Sequence, residues 1–371
     1  MDSEEPLLDL SNIHQLPYTL SVGTMELLEE VPLLSLKLLG NPASVALAMA
    51  TAVTSLYIYF AYPRLLVQMY FRIAVRLSGM RLRTVTDDKG FTFTFGERSQ
   101  QVQGRPSILL LHGFSADHFM WAPIVQKFAP DVHAVALDLP GHGFTSDPAD
   151  GDDIGFEGQL HRMRQFVRLM GMDQQPFHVS GVSMGGALSG LFAAKFPELV
   201  CSVSMCCPSM KTPQEGQMIA ANRETVKQNG GRMTLESCPL LPQTGAALQD
   251  MLRVVSYRQT YVPYQILQGA VDLRKERNHF YLELVHELVS ENSRSHLESV
   301  LHRITCPVQV LWGQQDQVVH VSGVEVLKAK LPDLRRVDIM PCCGHAVNLD
   351  QPKLVANALM DFYAQLQAEK S

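Results

Sequence analysis

The segment FHVSGVSMGG spans residues 177–186 and contains a Gly-x-Ser-x-Gly pentapeptide centred on Ser183. The apolar residues before the pentapeptide predict a buried strand, and the small and apolar residues 186–194 after it predict a helix. A tight turn between such a strand and helix presents the serine hydroxyl on a strained backbone, and the flanking glycines let strand and helix approach closely. The pentapeptide alone often arises by chance, so the predicted strand and helix on either side of it are what make Ser183 a candidate nucleophile.

A serine hydroxyl needs a base to take its proton, and in this arrangement an acid and then a histidine follow the serine along the chain. Asp316 comes just past the predicted strand 308–312 and His345 just past the predicted strand 336–340, and their spacing of 29 residues leaves room for one helix between them. We therefore predict a catalytic triad of Ser183, Asp316 and His345. For His142, which lies in a Pro-Gly-His-Gly turn, a structural role is favoured. The other competing bases are His118 and His320.

Acyl transfer also needs hydrogen-bond donors that stabilise the negative charge developing on the carbonyl oxygen. The backbone N–H of Met184 directly follows the candidate nucleophile, and that of Phe114 lies in the loop after the apolar run 108–111. We predict that these two amides form the oxyanion hole. His112, in the same loop as Phe114, is expected to hold that loop by hydrogen bonding.

Apolar runs recur along the chain, each followed by a turn and then a helical or loop segment. This alternation predicts an α/β fold with an eight-stranded, mostly parallel sheet, whose first clear strand alternates like an antiparallel one. No convincing strand occurs between Pro208 and about Ile304, so we interpret this helix-rich stretch as a lid inserted after strand six. The predicted strands are 91–95, 108–111, 132–137, 177–181, 200–206, 308–312 and 336–340.

The 26 residues from Leu38 to Pro63 carry no charge, and a helix needs about 20 apolar residues to span a bilayer. We predict one transmembrane helix here. A cleaved signal peptide is disfavoured because an acidic segment precedes the run, and a core helix stays open as an alternative. The predicted organisation is an acidic extension at 1–42, the transmembrane helix at 43–62, a basic interfacial helix at 63–83, and a catalytic domain at 84–371 with its lid at about 208–304.

Charge patterns indicate orientation and partners. Residues 1–37 carry seven acidic side chains and one basic one, whereas five arginines follow the apolar run closely, so the positive-inside rule predicts a cytoplasmic catalytic domain, with the organelle left open. The net charge of −6 and the absence of a basic block in the last two thirds of the chain argue against nucleic acid as a partner. The seven cysteines have no metal-site or disulfide spacing, so we expect free thiols and neither a metal nor another cofactor.

The motifs at 111–116, 138–142, 181–186, 315–318 and 343–345 together resemble those of the α/β-hydrolase superfamily. With VPYQILQG at 262–269 and the hydrophobic helix with its basic flank, the chain looks like the membrane-anchored monoacylglycerol lipases among the α/β-hydrolase-domain proteins. This resemblance covers roughly residues 43–365. The resemblance implies hydrolysis of long-chain monoacylglycerols, including endocannabinoid-type 2-acylglycerols, with lysophospholipids as a further implied substrate class. The expected partners are therefore lipid esters and a bilayer.

Two alternatives stay open. Elbows of the Ser-Met-Gly-Gly type also serve carbon–carbon bond hydrolases and thioesterases. A catalytically silent scaffold with this fold is disfavoured because no member of the predicted triad is missing. Dehalogenases and epoxide hydrolases carry aspartate at the elbow, and Ser183 excludes that class.

Overall fold

The computed structural model describes residues 41–228 and 230–369, so nearly all of the predicted acidic extension lies outside the described residues. The chain divides between Ala61 and Tyr62 into two compact units. The described part of the first unit contains helix α1 (Pro42–Ala61), which is long and apolar enough to cross a membrane by length and composition. None of the residues of α1 is buried, which disfavours the core-helix alternative.

One eight-stranded sheet organises the second unit, with strand order β1-β2-β4-β3-β5-β6-β7-β8. β2 pairs antiparallel with β1 and β4, and all other neighbours are parallel, which confirms the predicted mostly parallel sheet. Every residue of β3, β4, β5 and β7 is buried, as expected for continuous apolar runs in a parallel sheet. The strands are β1 (Arg81–Thr86), β2 (Thr92–Arg98), β3 (Ile108–Leu111), β4 (Ala134–Leu137), β5 (Phe177–Val182), β6 (Val200–Cys206), β7 (Val308–Gly313) and β8 (Leu334–Met340).

Helices occupy the connections between the strands. Five of them, α6 to α10, follow one another between β6 and β7, where the lid is predicted. The helices of the second unit are α2 (Pro63–Leu77), α3 (Ala122–Val125), α4 (Phe156–Leu169), α5 (Met184–Lys195), α6 (Gln217–Gln228), α7 (Gly245–Val255), α8 (Tyr264–Arg274), α9 (Asn278–Val289), α10 (Glu291–Val300), α11 (Gly323–Lys330), α12 (Val347–Asp350) and α13 (Pro352–Ala368).

The prediction that the interfacial helix extends over 63–83 is wrong at the carboxyl end of the helix. Helix α2 ends at Leu77, and Gly79 follows with φ +83°, a left-handed conformation that glycine adopts readily after a helix. Residues 81–83 belong instead to β1, an edge strand whose residues are mostly exposed. Its pairing with β2 stabilises it, and the sequence gives no buried apolar alternation that would reveal such a strand.

Helix α2 packs against the lid helix α8. A Cβ added to Gly269 would lie 2.5 Å from the carbonyl oxygen of Pro63, so the two helices approach each other backbone to backbone. Arg64 on α2 also forms an ion pair at 2.6 Å with Glu276, just beyond α8. Within the lid, α8 contacts α7 through an apolar cluster of Leu248, Leu267 and Val271.

Candidate active site

Ser183 lies in the turn between β5 and α5, at φ +57°. A left-handed φ is uncommon for a residue other than glycine and marks local strain that the surroundings must maintain. A Cβ on Gly181 would lie 2.0 Å from the carbonyl oxygen of Gly185, and one on Gly185 would lie 2.3 Å from that of Leu111. Both glycines of the pentapeptide are therefore required by backbone packing around Ser183.

Asp316 and His345 follow β7 and β8, and the structure brings them together. His345 Nδ1 lies 2.8 Å from Asp316 Oδ2, and because a carboxylate can only accept, Nδ1 carries the hydrogen and Nε2 is left as an acceptor. The other carboxylate oxygen of Asp316 accepts hydrogen bonds from the amides of Val318 at 2.8 Å and Val319 at 3.0 Å. The Asp316 side chain is fully buried, so its orientation is fixed from both sides.

Cys206 and Cys207, the last residue of β6 and the one after it, join the nucleophile turn to the Asp–His pair. The amide of Ser183 donates to the carbonyl of Cys206 at 2.9 Å, and the Cys207 thiol donates to the carbonyl of His345 at 3.4 Å. Cys207 Sγ also lies within 4.8 Å of ligand atoms of His345 and Asp316. Burial raises the pKa of the Cys207 thiol well above its usual value, so the thiol stays neutral and this cluster is poorly suited to a metal ion.

Among the described residues, the Ser183 hydroxyl forms no hydrogen bond with His345. In sites without substrate, catalytic hydrogen bonds are often long and shorten only when substrate binds. The arrangement therefore contains an acid–histidine pair after β7 and β8 and a strained serine after β5, with β6 between them and the serine–histidine contact open.

The loop after β3 lies against the nucleophile. A Cβ added to Gly113 would lie 3.4 Å from Ser183 Cβ. Phe114 follows Gly113 in this loop. Neither the backbone N–H of Phe114 nor that of Met184 donates a hydrogen bond to any group in the described part of the chain. Both N–H groups are thus unused donors in segments next to Ser183, as an oxyanion hole would require.

His112 holds this loop, as predicted. Its Nε2 accepts a hydrogen bond from the amide of Leu139 at 2.9 Å, so Nδ1 is the protonated nitrogen and donates to the carbonyl of Gly113 at 2.7 Å. Burial lowers the pKa of His112 to about 4 despite the nearby Asp138 carboxylate, so the ring is neutral near pH 7. His112 therefore ties the β3 loop to the residues that follow β4.

The competing histidines have other partners. His142 is buried, its Nδ1 lies 3.0 Å from the carbonyl of Pro140, and burial lowers its pKa well below the usual value. His118 pairs with Asp138 at 2.8 Å; burial opposes the charge, but the carboxylate outweighs burial and raises the pKa of His118 to about 9. His320 accepts a backbone hydrogen bond at 3.1 Å. Of the predicted bases, His345 is the one that pairs with Asp316.

Sequence reasoning missed Asp350, which links the His345 loop to the lid. Asp350 is fully buried and accepts four hydrogen bonds of 2.5–3.0 Å, one of them from the amide of Gly344. The other three donors precede it by 92–94 residues, so no local pattern reveals them. These donors are Ser256 Oγ and the amides of Tyr257 and Arg258.

A cavity of about 620 Å³ opens elsewhere, at the amino-terminal ends of the central strands. It is lined by residues that include Ile108 at the start of β3 and His178 near the start of β5. Ser183, Asp316 and His345 all follow the carboxyl ends of their strands, where ligands of open α/β sheets bind. This cavity is therefore separate from the candidate active site.

Comparison with known proteins relates this site to one family. The profile described as alpha/beta hydrolase fold matches residues 106–352. The chain is 36% identical over 312 residues to monoacylglycerol lipase ABHD6 of Bos taurus, covering 84% of this chain and 90% of that protein. It is 36% identical over 310 residues to monoacylglycerol lipase ABHD6 of Homo sapiens, covering 83% of this chain and 89% of that protein. A solved membrane phospholipase A, described as a bacterial virulence factor, has a TM-score of 0.72 at 25% identity, covering 87% of this chain and 98% of that chain. Because the profile and the relatives match most of its length, this chain belongs to the alpha/beta hydrolase fold family.

Proposed function

We propose that this protein is a membrane-anchored serine hydrolase that cleaves long-chain monoacylglycerols through an acyl-enzyme on Ser183. Hydrolysis of lipid esters is supported by the family of the chain and by relatives named monoacylglycerol lipase, with a phospholipase as a structural neighbour. The proposed substrates include endocannabinoid-type 2-acylglycerols and, as a further class, lysophospholipids. All of these are single-chain esters with a polar headgroup.

In the proposed mechanism the Ser183 hydroxyl attacks the ester carbonyl while His345 Nε2 takes its proton. Asp316 keeps the other ring nitrogen protonated and stabilises the imidazolium. The amides of Phe114 and Met184 donate to the oxyanion. His345 then protonates the departing glycerol, and a water molecule activated by the same ring releases the fatty acid. The observation that carries this proposal is the 2.8 Å bond between His345 and the buried Asp316, beside a serine at positive φ.

The exposed surface of α2 favours the proposal that the substrate is a lipid. This helix presents large apolar side chains that are 46–78% exposed, with Arg72 and Arg76 on the same helix. A helix that combines exposed apolar residues with arginines is suited to the interface of a membrane. An amphiphilic ester could then reach the site from the bilayer. The exposed apolar residues are Leu65, Met69, Tyr70, Ile73 and Leu77.

We also propose that α1 spans the membrane once and that the catalytic unit lies on the cytoplasmic side, because arginines follow α1 and acidic residues precede it. Protease treatment of sealed microsomes tests this orientation. We expect residues 62–371 to be digested without detergent. Protection of that part until detergent is added would contradict the proposal.

The triad is tested with the full-length protein in phospholipid vesicles, by release of fatty acid from monooleoylglycerol. Ser183→Ala is expected to lower kcat by about 10⁶, and His345→Asn by a comparable factor, because the nucleophile and its base act as a unit. Ser99→Ala removes a hydroxyl at an exposed position that also has positive φ, and should leave turnover unchanged. Normal turnover by Ser183→Ala would end the assignment.

A substrate panel separates the alternatives. Turnover of a vinylogous diketone or an acyl thioester, without turnover of monoacylglycerols, would favour the carbon–carbon bond hydrolase or the thioesterase. Labelling of Ser183 by a fluorophosphonate probe, competed by monooleoylglycerol, is the expected result. A folded protein that does not label would instead favour the catalytically silent scaffold.

A further inference from the structure

Arg274, the last residue of α8, contacts the loop that carries the Phe114 amide. Its Nη2 donates to Ser115 Oγ at 2.7 Å and to the carbonyl oxygen of Leu240 at 2.9 Å. Its Nε is buried and has no hydrogen-bond partner among the described residues. Within residues 41–228 and 230–369, no carboxylate lies within ion-pair distance of this guanidinium. The guanidinium of Arg274, which has no ion-pair partner among the described residues, thus lies against the loop after β3, next to the nucleophile.

A neighbouring lid arginine, Arg277, has the charged partner that Arg274 lacks within the described residues. Arg277 forms an ion pair with Asp147 and donates to the carbonyl of Thr145 at 3.3 Å. In the described part of the chain the acceptors of Arg274 are both neutral, and burial lowers the pKa of its guanidinium. Burying a charged group without an opposite charge costs free energy. We therefore expect the hydrogen bonds of Arg274 to serve a role that an apolar side chain could not perform.

Ser115 is a residue whose conformation needs support. Its φ is +55°, a left-handed conformation that is strained for serine, and it directly follows Phe114. A second contact reaches the same loop, because the ring of Phe114 packs edge-on against Tyr281 at 5.7 Å and the Arg274 guanidinium lies 5.9 Å from the Tyr281 ring. Arg274 therefore contacts Tyr281, which packs against the Phe114 ring, and Ser115, the residue after Phe114.

We propose that Arg274 is a positioning residue, which holds Ser115 and thereby keeps the Phe114 N–H directed at the oxyanion. This inference rests on the proposed function, because it assigns a partner to one of the proposed oxyanion donors. It also means that the lid contributes to the chemical step, in addition to covering the substrate. If the lid moved away, the Ser115 hydroxyl would lose its donor and the strained loop could relax.

Arg274→Met tests this role with p-nitrophenyl butyrate and monooleoylglycerol as substrates. We expect kcat to fall by about 10-fold to 100-fold, less than the loss from deleting an oxyanion donor outright, with KM changed by less than about 2-fold. Arg274→Lys keeps the charge but not the planar fork, and should recover part of the loss. Ser115→Ala removes the acceptor and should reproduce the Arg274→Met phenotype.

Two further readouts separate positioning from a general loss of structure. The affinity for an alkyl trifluoromethyl ketone, whose adduct resembles the tetrahedral intermediate, should weaken in parallel with kcat/KM. The double variant Arg274→Met/Ser115→Ala should be no slower than either single variant, because both act through one hydrogen bond. The matched control is Arg277→Met, which removes a lid guanidinium of the same size and should leave kcat unchanged.

An unchanged kcat in Arg274→Met, a change confined to KM, or losses that multiply in the double variant would each overturn the inference. If Arg274→Met does not fold, as judged by its melting temperature and far-ultraviolet circular dichroism, Arg274→Lys and Ser115→Ala carry the test. The proposed function fails separately, by normal turnover in Ser183→Ala. The short ester keeps the inference measurable even if monoacylglycerols are not substrates.

Discussion

Two glycines with the same steric requirement lie in regions of different character. Gly185, beside the nucleophile, packs against the backbone of Leu111 and His112, whereas Gly269, in the lid, packs against the backbone of Pro63. Gly185 lies among fully buried strands, while α8 is only partly buried. The comparison indicates that the geometry at Ser183 depends on backbone packing that cannot relax. The lid helix α8 is instead held by one close helix contact and a small apolar cluster, so we expect that it can shift without the sheet.

The largest effect is expected for Gly185→Ala. The added Cβ would lie 2.3 Å and 2.5 Å from two carbonyl oxygens, so α5 and β3 would have to separate. We expect the free energy of unfolding to fall by about 4 kcal/mol or more, with loss of esterase activity. Urea unfolding and hydrolysis of p-nitrophenyl butyrate measure both.

Gly190→Ala is the matched control for Gly185→Ala, since both glycines lie on α5. The nearest atoms to a Cβ on Gly190 are the side-chain ends of Leu297, at 2.8 Å, and Met205, at 2.9 Å. These side chains can shift, so the loss should be about 1–3 kcal/mol. Equal losses in the two variants would show that backbone contact is not what distinguishes the nucleophile turn.

A second prediction concerns the buried His118, which is expected to be positively charged in the folded protein near pH 7. The pKa of His118 is raised from 6.5 to about 9, so its stabilising contribution is fully present below pH 6.5 and is lost as pH rises through 9. Unfolding of the wild type and His118→Asn is measured from pH 6 to pH 10. The difference between their free energies of unfolding should shrink by at most about 1.4 kcal/mol per pH unit in that window. A constant difference would mean that His118 is neutral in the folded protein.

The predictability of the two regions differs for a physical reason. Ser183, Asp316 and His345 are predictable because each follows a predicted strand, fully buried in the case of Ser183 and Asp316, and two strands, at 108–111 and 200–206, have the predicted bounds. Such runs and turns are local patterns. The contacts of Arg274 with Ser115 and of Asp350 with the lid join residues 92–159 positions apart, so no local pattern reveals them.

Edge strand β1 was missed for a related reason. Its residues, Arg81–Thr86, are mostly exposed, so nothing in their apolar pattern separates them from the preceding helix. What stabilises them is hydrogen bonding to β2, a property of the partner strand. Sequence patterns thus indicated the buried part of the fold, and pairing decided its edge.

Gly269→Ala tests the lid side of the comparison. A Cβ there would displace α2 from α8, because the carbonyl of Pro63 lies 2.5 Å away. We expect a loss of about 1–3 kcal/mol, faster proteolysis within residues 208–304, and a larger fall in turnover for monooleoylglycerol than for p-nitrophenyl butyrate. Global unfolding as severe as in Gly185→Ala would contradict the idea that the lid can change separately.

The smallest effect is expected for Arg64→Met, which removes the ion pair between α2 and the lid. Its partner Glu276 has a pKa lowered by the hydrogen bond from Arg64, but both side chains are well exposed, at 44% and 66%. Solvent screens such a pair, so the loss should be under about 1 kcal/mol and should vanish in 1 M salt. Limited proteolysis of the lid should also stay close to the wild-type rate. If Arg64→Met loosened the lid as much as Gly269→Ala does, charge rather than backbone packing would hold α2 against α8.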